Sequence, residues 1–353
     1  MYKLFKSLAF QLDAEKAHHL TVKCLGLFPS VFSNYGAINY DSNFHVQTSV
    51  GAFPFPLGIA AGLDKNAELI DYFGRLGVGG LEVGTVTLRP QPGNDKPRLF
   101  RLPQDKSLRN SMGFNGDGAK KVLENINIAN TYPMRLGINF GKNKITPNDR
   151  AIEDYIALFR EFKQMGDYYV INVSSPNTPG LRELQDKQFL SEISEEIKKI
   201  GIVKPVLLKI APDLGVCQVK EICELVGSSS FSGIIATNTS SIPEYGQGGI
   251  SGKLIKEKST KVRQMVLEIL GDQTNKTVIG VGGVDSINDL WKFWSGGGRY
   301  MQIYTSFVYR GPKMFSELAI QLGFLFKYFG VRSVDELIRM VHLDKVKLPN
   351  NYK

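Results

Sequence analysis

The segment NVSSPNTPGLR, residues 172–182, follows the apolar run 168–171 and sets two hydroxyls, Ser174 and Ser175, between the amides of Asn172 and Asn177. A serine so placed could be a nucleophile or a proton acceptor. A hydrolytic nucleophile needs an activating base, usually histidine. The histidines are His18, His19, His45 and His342; none ends an apolar run, and no G-x-S-x-G elbow occurs. A Ser-His-Asp triad is therefore disfavoured. What remains is a hydroxyl that moves a proton, which at neutral pH requires a dry site and a relay. One serine is the candidate and the other satisfies turn backbone. Thr178 is placed to act as relay, and Pro176 and Pro179 stiffen the loop.

The elements that position this loop come from the chain's periodicity. Short apolar runs that end in small or polar residues fall at 57–61, 80–85, 135–139, 168–173, 205–210, 233–237, 277–281 and 300–305. Many of the longer stretches between them have helical spacing. Eight near-continuous apolar strands, buried on both faces, predict a parallel (β/α)8 TIM barrel. An open doubly wound sheet is the structural rival, but there is no G-x-G-x-x-G after the first run and no G-x-x-x-x-G-K-[ST] anywhere.

Barrel enzymes carry their sites at the carboxyl ends of the strands. Read together, those ends offer Ala60 and Ala61, Thr85, Asn139, Asn172 with Ser175 and Asn177, Lys209, Thr237 with Asn238, Gly282 with Gly283, and Tyr304 with Thr305. Only Lys209 among them is charged. Amides, hydroxyls and bare backbone around one lysine suit a planar heterocycle that donates and accepts hydrogen bonds, and suit a metal poorly. The glycines of GVGGV and the hydroxyl after QIY belong to the seventh and eighth runs, where barrels bind phosphate through loop N–H groups. A phosphorylated flat cofactor is the expected occupant.

Composition sets wider limits. With 42% hydrophobic and 22% charged residues the chain can bury a full core. The three cysteines are odd in number and lack a CxxC, which favours a reducing compartment over a disulfide framework. The formal charge of +9 is compatible with nucleic acid, anionic lipid or acidic small substrates and does not choose among them. No run reaches the roughly 18 apolar residues of a spanning helix. The opening MYKLFKSLAF meets polar residues too soon for a signal peptide, so no targeting peptide is expected.

Residues 1–40 stand outside the barrel pattern as two short helices broken near QLDAE, with Asp13 as N-cap. The second places Ala17, Leu20, Thr21, Cys24, Leu25 and Phe28 on one face, and the first does so with Leu4, Phe5, Leu8, Ala9 and Leu12. Such a pair either packs on the barrel or lies on a membrane. The stretch 86–134 is long for a loop and is expected to hold function.

With these residues in place the chain resembles the class 2, quinone-linked dihydroorotate dehydrogenases over nearly its whole length. The likeness rests on LDAEKAH, GIAAGLDKN, EVGTVTLRPQPGN, PRLFRL, NSMGFN, NVSSPNTPGLR, KIAPDL, ATNT, GGISG, GVGGVDS and QIY. It implies oxidation of dihydroorotate to orotate in pyrimidine synthesis, with bound FMN reoxidised by a membrane quinone. Ser175 would be the base that takes the C5 proton while hydride leaves C6 for the flavin; class 1 relatives have cysteine there. Substrate contacts would come from Lys65, Asn110, Ser111, Met112, Gly113, Phe114, Asn172, Asn177, Asn238 and Thr239. The FMN site would comprise Ala61, Thr85, Asn139, Asn172, Lys209, Thr237, Gly252, Gly283, Tyr304 and Thr305, with Lys209 near the flavin N1 and O2.

The same resemblance implies a domain division at residue 40: a 1–40 hairpin forming the quinone tunnel and membrane contact, and a 41–353 FMN-binding barrel. His18, Arg101 and Tyr304 would meet the quinone, and Lys3, Lys6, Lys16 and Lys23 would favour an anionic membrane surface. A peripheral protein on the cytoplasmic face of the cell membrane, monomeric or weakly homo-oligomeric and binding no nucleic acid, is the expectation. Ser111 departs from the arginine expected there, and the loop TSSIPEYGQGG is short. A tRNA dihydrouridine synthase would suit the basic charge, but normally carries cysteine where this chain has Ser175 and lacks the helical hairpin. A catalytically silent barrel that binds anionic lipid or nucleic acid is the non-enzymatic alternative.

Overall fold

The computed structural model describes residues 2–38, 41–178, 180–271 and 275–352. Pro179 and the side chain of Lys3, both given roles above, lie outside the described part. Eight parallel strands close a barrel: Leu57–Ile59, Gly80–Val86, Arg135–Phe140, Tyr168–Asn172, Val206–Ile210, Gly233–Ala236, Thr277–Gly280 and Tyr300–Ile303. Each pairs with its neighbours in sequence, and Gln302 against Gly58 closes the ring. All eight expected runs are strands. The first and eighth stop short of the runs' ends because Ala60, Ala61, Tyr304 and Thr305 leave the ladder to line a cleft.

Alternation along the strands separates two cores. Leu81 and Val83 face outward into the layer shared with the helices, whereas Tyr168, Val170, Leu207, Ile235, Ile279 and Tyr300 fill the barrel. An antiparallel pair, Val46–Thr48 with Gly51–Phe53, closes the amino end, where Phe53 stacks on Tyr300 with ring centroids 3.7 Å apart. At the opposite end the 86–134 stretch supplies Leu99–Leu102 and Ser107–Asn110, which Gly249–Gly252 joins in a three-stranded antiparallel sheet.

The amino-terminal segment holds α1 (Tyr2–Ala9), α2 (Ala14–Leu27) and α3 (Pro29–Ser33). Asp13 caps α2 as expected, its Oδ1 accepting from the Glu15 and Lys16 N–H groups at 3.1 and 3.0 Å. The short α3, begun by Pro29, was not foreseen from the sequence. The face of α2 also differs from expectation: Ala14, Glu15, Ala17 and Val22 are buried, while Leu20 and Phe28 are exposed. That buried face includes an ion pair. Glu15 Oε1 meets Arg98 Nη2 at 2.8 Å with both side chains buried, so the polar Glu15 of α2 faces the loop.

Candidate functional site

The carboxyl ends of the strands open into a cleft enclosing about 1200 Å³, including its mouth. Its floor is a polar network built on Glu82, an inward-facing residue of the second strand that is 0% exposed. Glu82 Oε1 accepts from Lys209 Nζ at 3.0 Å and from Asn139 Nδ2 at 2.7 Å, and Oε2 accepts from Gln302 Nε2 at 2.9 Å. Thr85 donates to Asn139 Oδ1 at 2.6 Å, and Asn172 Nδ2 donates to Thr85 Oγ1 at 2.9 Å. Five strands thus contribute polar side chains to one network, in which both Glu82 oxygens are paired as burial demands.

The loop after the fourth strand resolves the pair of serines. Ser174 is fully buried, donates to Asn172 Oδ1 at 3.2 Å and accepts from Asn238 Nδ2 at 3.0 Å. Its hydroxyl is structural. Ser175 lines the cleft and its Oγ accepts from the Asn177 N–H at 3.3 Å. Asn177 Nδ2 donates to Asn110 Oδ1 at 3.0 Å, and Thr239 N–H donates to Asn238 Oδ1 at 2.8 Å. These amides bring three separate loops around Ser175. Arg182 fastens them from behind, donating to Ser174 O at 3.1 Å and Thr239 O at 3.0 Å while pairing with Asp213 at 2.8 Å.

At the rim, Lys65 Nζ donates to Asn115 Oδ1 at 2.7 Å. Burial, aided by Arg98, pushes Lys65 down to about 7. His18 of α2 faces the same space, and burial with Lys65 and His19 nearby pushes its imidazole down to about 3, so it is neutral at pH 7. Tyr304 also lines the cleft, its phenol pushed up to about 12 by burial.

Of the residues expected from the sequence, Ala61, Lys65, Thr85, Asn110, Met112, Gly113, Phe114, Asn172, Ser175, Asn177, Lys209, Thr237, Asn238, Thr239, Gly252, Gly283, Tyr304, Thr305 and His18 line this one cleft. Asn139 lies beneath it in the network just described. Thr178 is buried in the Ser175 loop without lining the cleft. Ser111 also stands back, its carbonyl accepting from Asn94 Nδ2 at 3.0 Å. Arg101 points at the helices: it donates to Leu12 O at 2.8 Å and Ala9 O at 3.2 Å, with its guanidinium over the Phe10 ring.

Sequence reasoning gave no role to Glu82, Gln302, Arg182, or the Glu15–Arg98 pair. A charged residue inside the otherwise apolar run 80–85 was the available sign for Glu82.

The cleft fits FMN on three counts. Gln302 Oε1 is buried without a partner and belongs to a side chain lining the cleft, so an acceptor is left for a ring N–H. Lys209, which lines the cleft with one hydrogen bond to Glu82, supplies donors. At the far end Gly252, Gly282 and Gly283 all have positive φ, and a Cβ at Gly252 would stand 2.7 Å from the Thr305 methyl. That bare backbone, with Thr305 and Ser251 paired at 2.8 Å, is a place for a phosphate.

The comparisons with known proteins agree. The family model described as Dihydroorotate dehydrogenase matches residues 45–325. A protein of Vibrio atlanticus named dihydroorotate dehydrogenase (quinone) is 41% identical over 338 residues, covering 91% of this chain and 100% of the relative. One of the same name from Sulfurovum is 40% identical, covering 96% of this chain and 97% of the relative. Among solved structures, the Eimeria tenella DHODH in complex with ferulenol superposes with a TM-score of 0.83 at 31% identity, covering 95% of this chain and 99% of that one.

Proposed function

The chain belongs to the dihydroorotate dehydrogenase family, and on that premise we propose how its own residues carry out the reaction. It oxidises (S)-dihydroorotate to orotate in pyrimidine biosynthesis, as an FMN-dependent enzyme whose final electron acceptor is a quinone. When bound, FMN supplies the two-electron chemistry that links substrate and quinone.

Ser175 takes the C5 proton. The observation that carries this is the meeting of Ser175 with Asn110, Asn177, Asn238 and Thr239, from three loops, in one cleft. The Asn177 N–H donates to Ser175 Oγ and stabilises that oxygen as its own hydroxyl proton leaves toward the relay and the C5 proton replaces it. Thr178, buried behind it, passes the proton onward. Asn110, Asn177, Asn238 and Thr239 hold the amide edges of the pyrimidine, with Met112, Gly113 and Phe114 shaping the pocket. Lys65 meets the substrate carboxylate, and Ser111 supports the segment from outside. Ala61, Thr85, Asn139, Asn172, Lys209, Thr237, Gly252, Gly283, Tyr304 and Thr305 hold FMN.

The 1–40 segment forms the quinone path. His18 and Tyr304 both line the cleft, and Arg101 holds the turn between α1 and α2. Leu4, Phe5, Leu8, Leu12, Leu20, Leu27, Phe28, Val31 and Phe32 are all exposed, an apolar surface suited to a membrane interface. No helix among the described residues is long and apolar enough to cross a membrane. We place the protein peripherally on the cytoplasmic face, as a monomer or weak homo-oligomer.

The test is anaerobic addition of dihydroorotate to the purified flavoprotein. Bleaching of the flavin bands is expected. Persistent bands would move the substrate elsewhere, and a colourless protein that FMN does not restore would remove the reading altogether.

A further inference from the structure

The carboxylate beneath Lys209 has no assigned task in this reaction, and its position is costly. Glu82 is 0% exposed and Lys209 is 4% exposed, so an ion pair has been taken out of water inside the barrel. Such pairs add little net stability compared with apolar residues of similar volume. Deeper inward positions of the barrel are apolar or aromatic, among them Tyr168 and Val170, so the charged pair sits at the border of that core.

The geometry shows what the carboxylate does. Both Glu82 oxygens are occupied: Oε1 by Lys209 and Asn139, Oε2 by Gln302. Gln302 Nε2 also donates to Tyr168 OH at 3.2 Å, which ties the amide to the barrel interior. Glu82 is therefore fixed by three strands besides its own. In the hydrogen bonds of the described residues, Glu82 is the partner of Lys209, and the remaining donors of that ammonium face the cleft.

We propose that Glu82 is a positioning residue that sets the flavin's reduction potential, by fixing the place of the Lys209 ammonium and neutralising part of its charge at the cleft floor. The inference rests on the reading of the cleft as an FMN site. An ammonium facing the flavin favours its reduced, more negative form, and a paired carboxylate moderates that pull. Glu82 touches neither substrate nor flavin edge and acts through Lys209.

The experiment is a potentiometric titration of the full-length holoenzyme across pH, using a chemical reductant so that neither dihydroorotate nor quinone is needed. Glu82→Gln is expected to raise the midpoint potential at low pH, favouring reduced flavin at least tenfold, about 30 mV for a two-electron couple. The potential should also fall more steeply as pH rises, because a buried ammonium without its counter-charge loses its proton more easily. In a Lys209→Met background the same substitution should give no upward shift. Glu82→Asp should restore part of the native value.

If Glu82→Gln fails to fold or to hold FMN, the double variant Glu82→Gln/Lys209→Met removes the unpaired buried charge and should recover thermal stability of the fold, even though Lys209 is itself an FMN contact. A potential and pH profile that superpose on wild type would overturn the proposal, as would equal shifts in both backgrounds or a double variant no better than the single. A wild-type protein that binds no flavin would instead sink the functional reading.

Discussion

The barrel cleft and the amino-terminal helices break opposite rules of protein composition. In the cleft, Glu82, Asn139, Asn172 and Lys209 are polar and buried. In the helices, Leu4, Leu8, Leu27 and Val31 are apolar and exposed. The first violation is compensated within the fold, since each buried group finds hydrogen bonds from other strands. The second has no compensation within the described chain, and the membrane contact proposed above would supply it. A site that works on a polar ring carries its solvation inside, and a surface that works at a lipid boundary leaves its solvation to the lipid.

The widest break between the regions should come from removing residues 1–33, the span ending with α3. Quinone reduction is expected to vanish while anaerobic bleaching by dihydroorotate persists. Undiminished quinone turnover in a folded truncation would show that the two regions do not divide the reaction in this way. Within the cleft, Ser175→Ala should retain FMN and lose on the order of 10² to 10⁴ in turnover, the scale of general base catalysis. Steady-state kinetics and the rate of the half-reaction check this, and near-normal rates would remove Ser175 from proton transfer.

The regions are joined at one buried ion pair, Glu15 with Arg98. Arg98 Nη1 also donates to Asn94 O at 2.6 Å, so α2 is pinned to the 86–134 excursion. Burial alone would raise the Glu15 carboxyl, but Arg98, Lys96 and His19 bring it below its ordinary value. A depressed carboxyl stabilises docking above its unfolded value and loses that contribution as pH falls through the folded one. Arg98→Met leaves a buried unpaired carboxylate and should cost about 3–5 kcal/mol. Proteolysis of α2 that is no faster in the variant would mean that the apolar contacts alone hold it.

The barrel was legible because its signal is periodic: eight apolar runs gave all eight strands, and their ends gave most of the cleft lining. What sequence could not reveal was pairing across distance. Glu15 and Arg98 lie 83 residues apart, and Glu82 and Gln302 lie 220 apart. Neither partner announces the other, so α2 was assigned an apolar face that leaves out the buried Glu15. Ser174 and Ser175 were distinguishable from residues alone only as one structural and one reactive hydroxyl. Their hydrogen bonds differ, Ser174 being held by Asn172 and Asn238 while Ser175 lines the cleft, and this supports Ser175 as the reactive one proposed above.

The smallest expected effect lies at the seam, where α2 brings His18 beside Lys65 over the cleft rim. Lys65 is pushed down to about 7 chiefly by burial, and part of that cover belongs to the helices. A carboxylate ligand prefers the charged ammonium, so orotate affinity should be flat below about pH 7 and fall at most about tenfold per pH unit above it. Orotate titrations monitored by flavin absorbance between about pH 6 and pH 9 would locate the break. Lys65→Met should abolish it. In the 1–33 truncation the ammonium regains water, and the break should move upward toward the ordinary lysine value. A break that stays near 7 without the helices would mean that the barrel loops alone desolvate Lys65, and that the hairpin has no hold on the pH range of substrate binding.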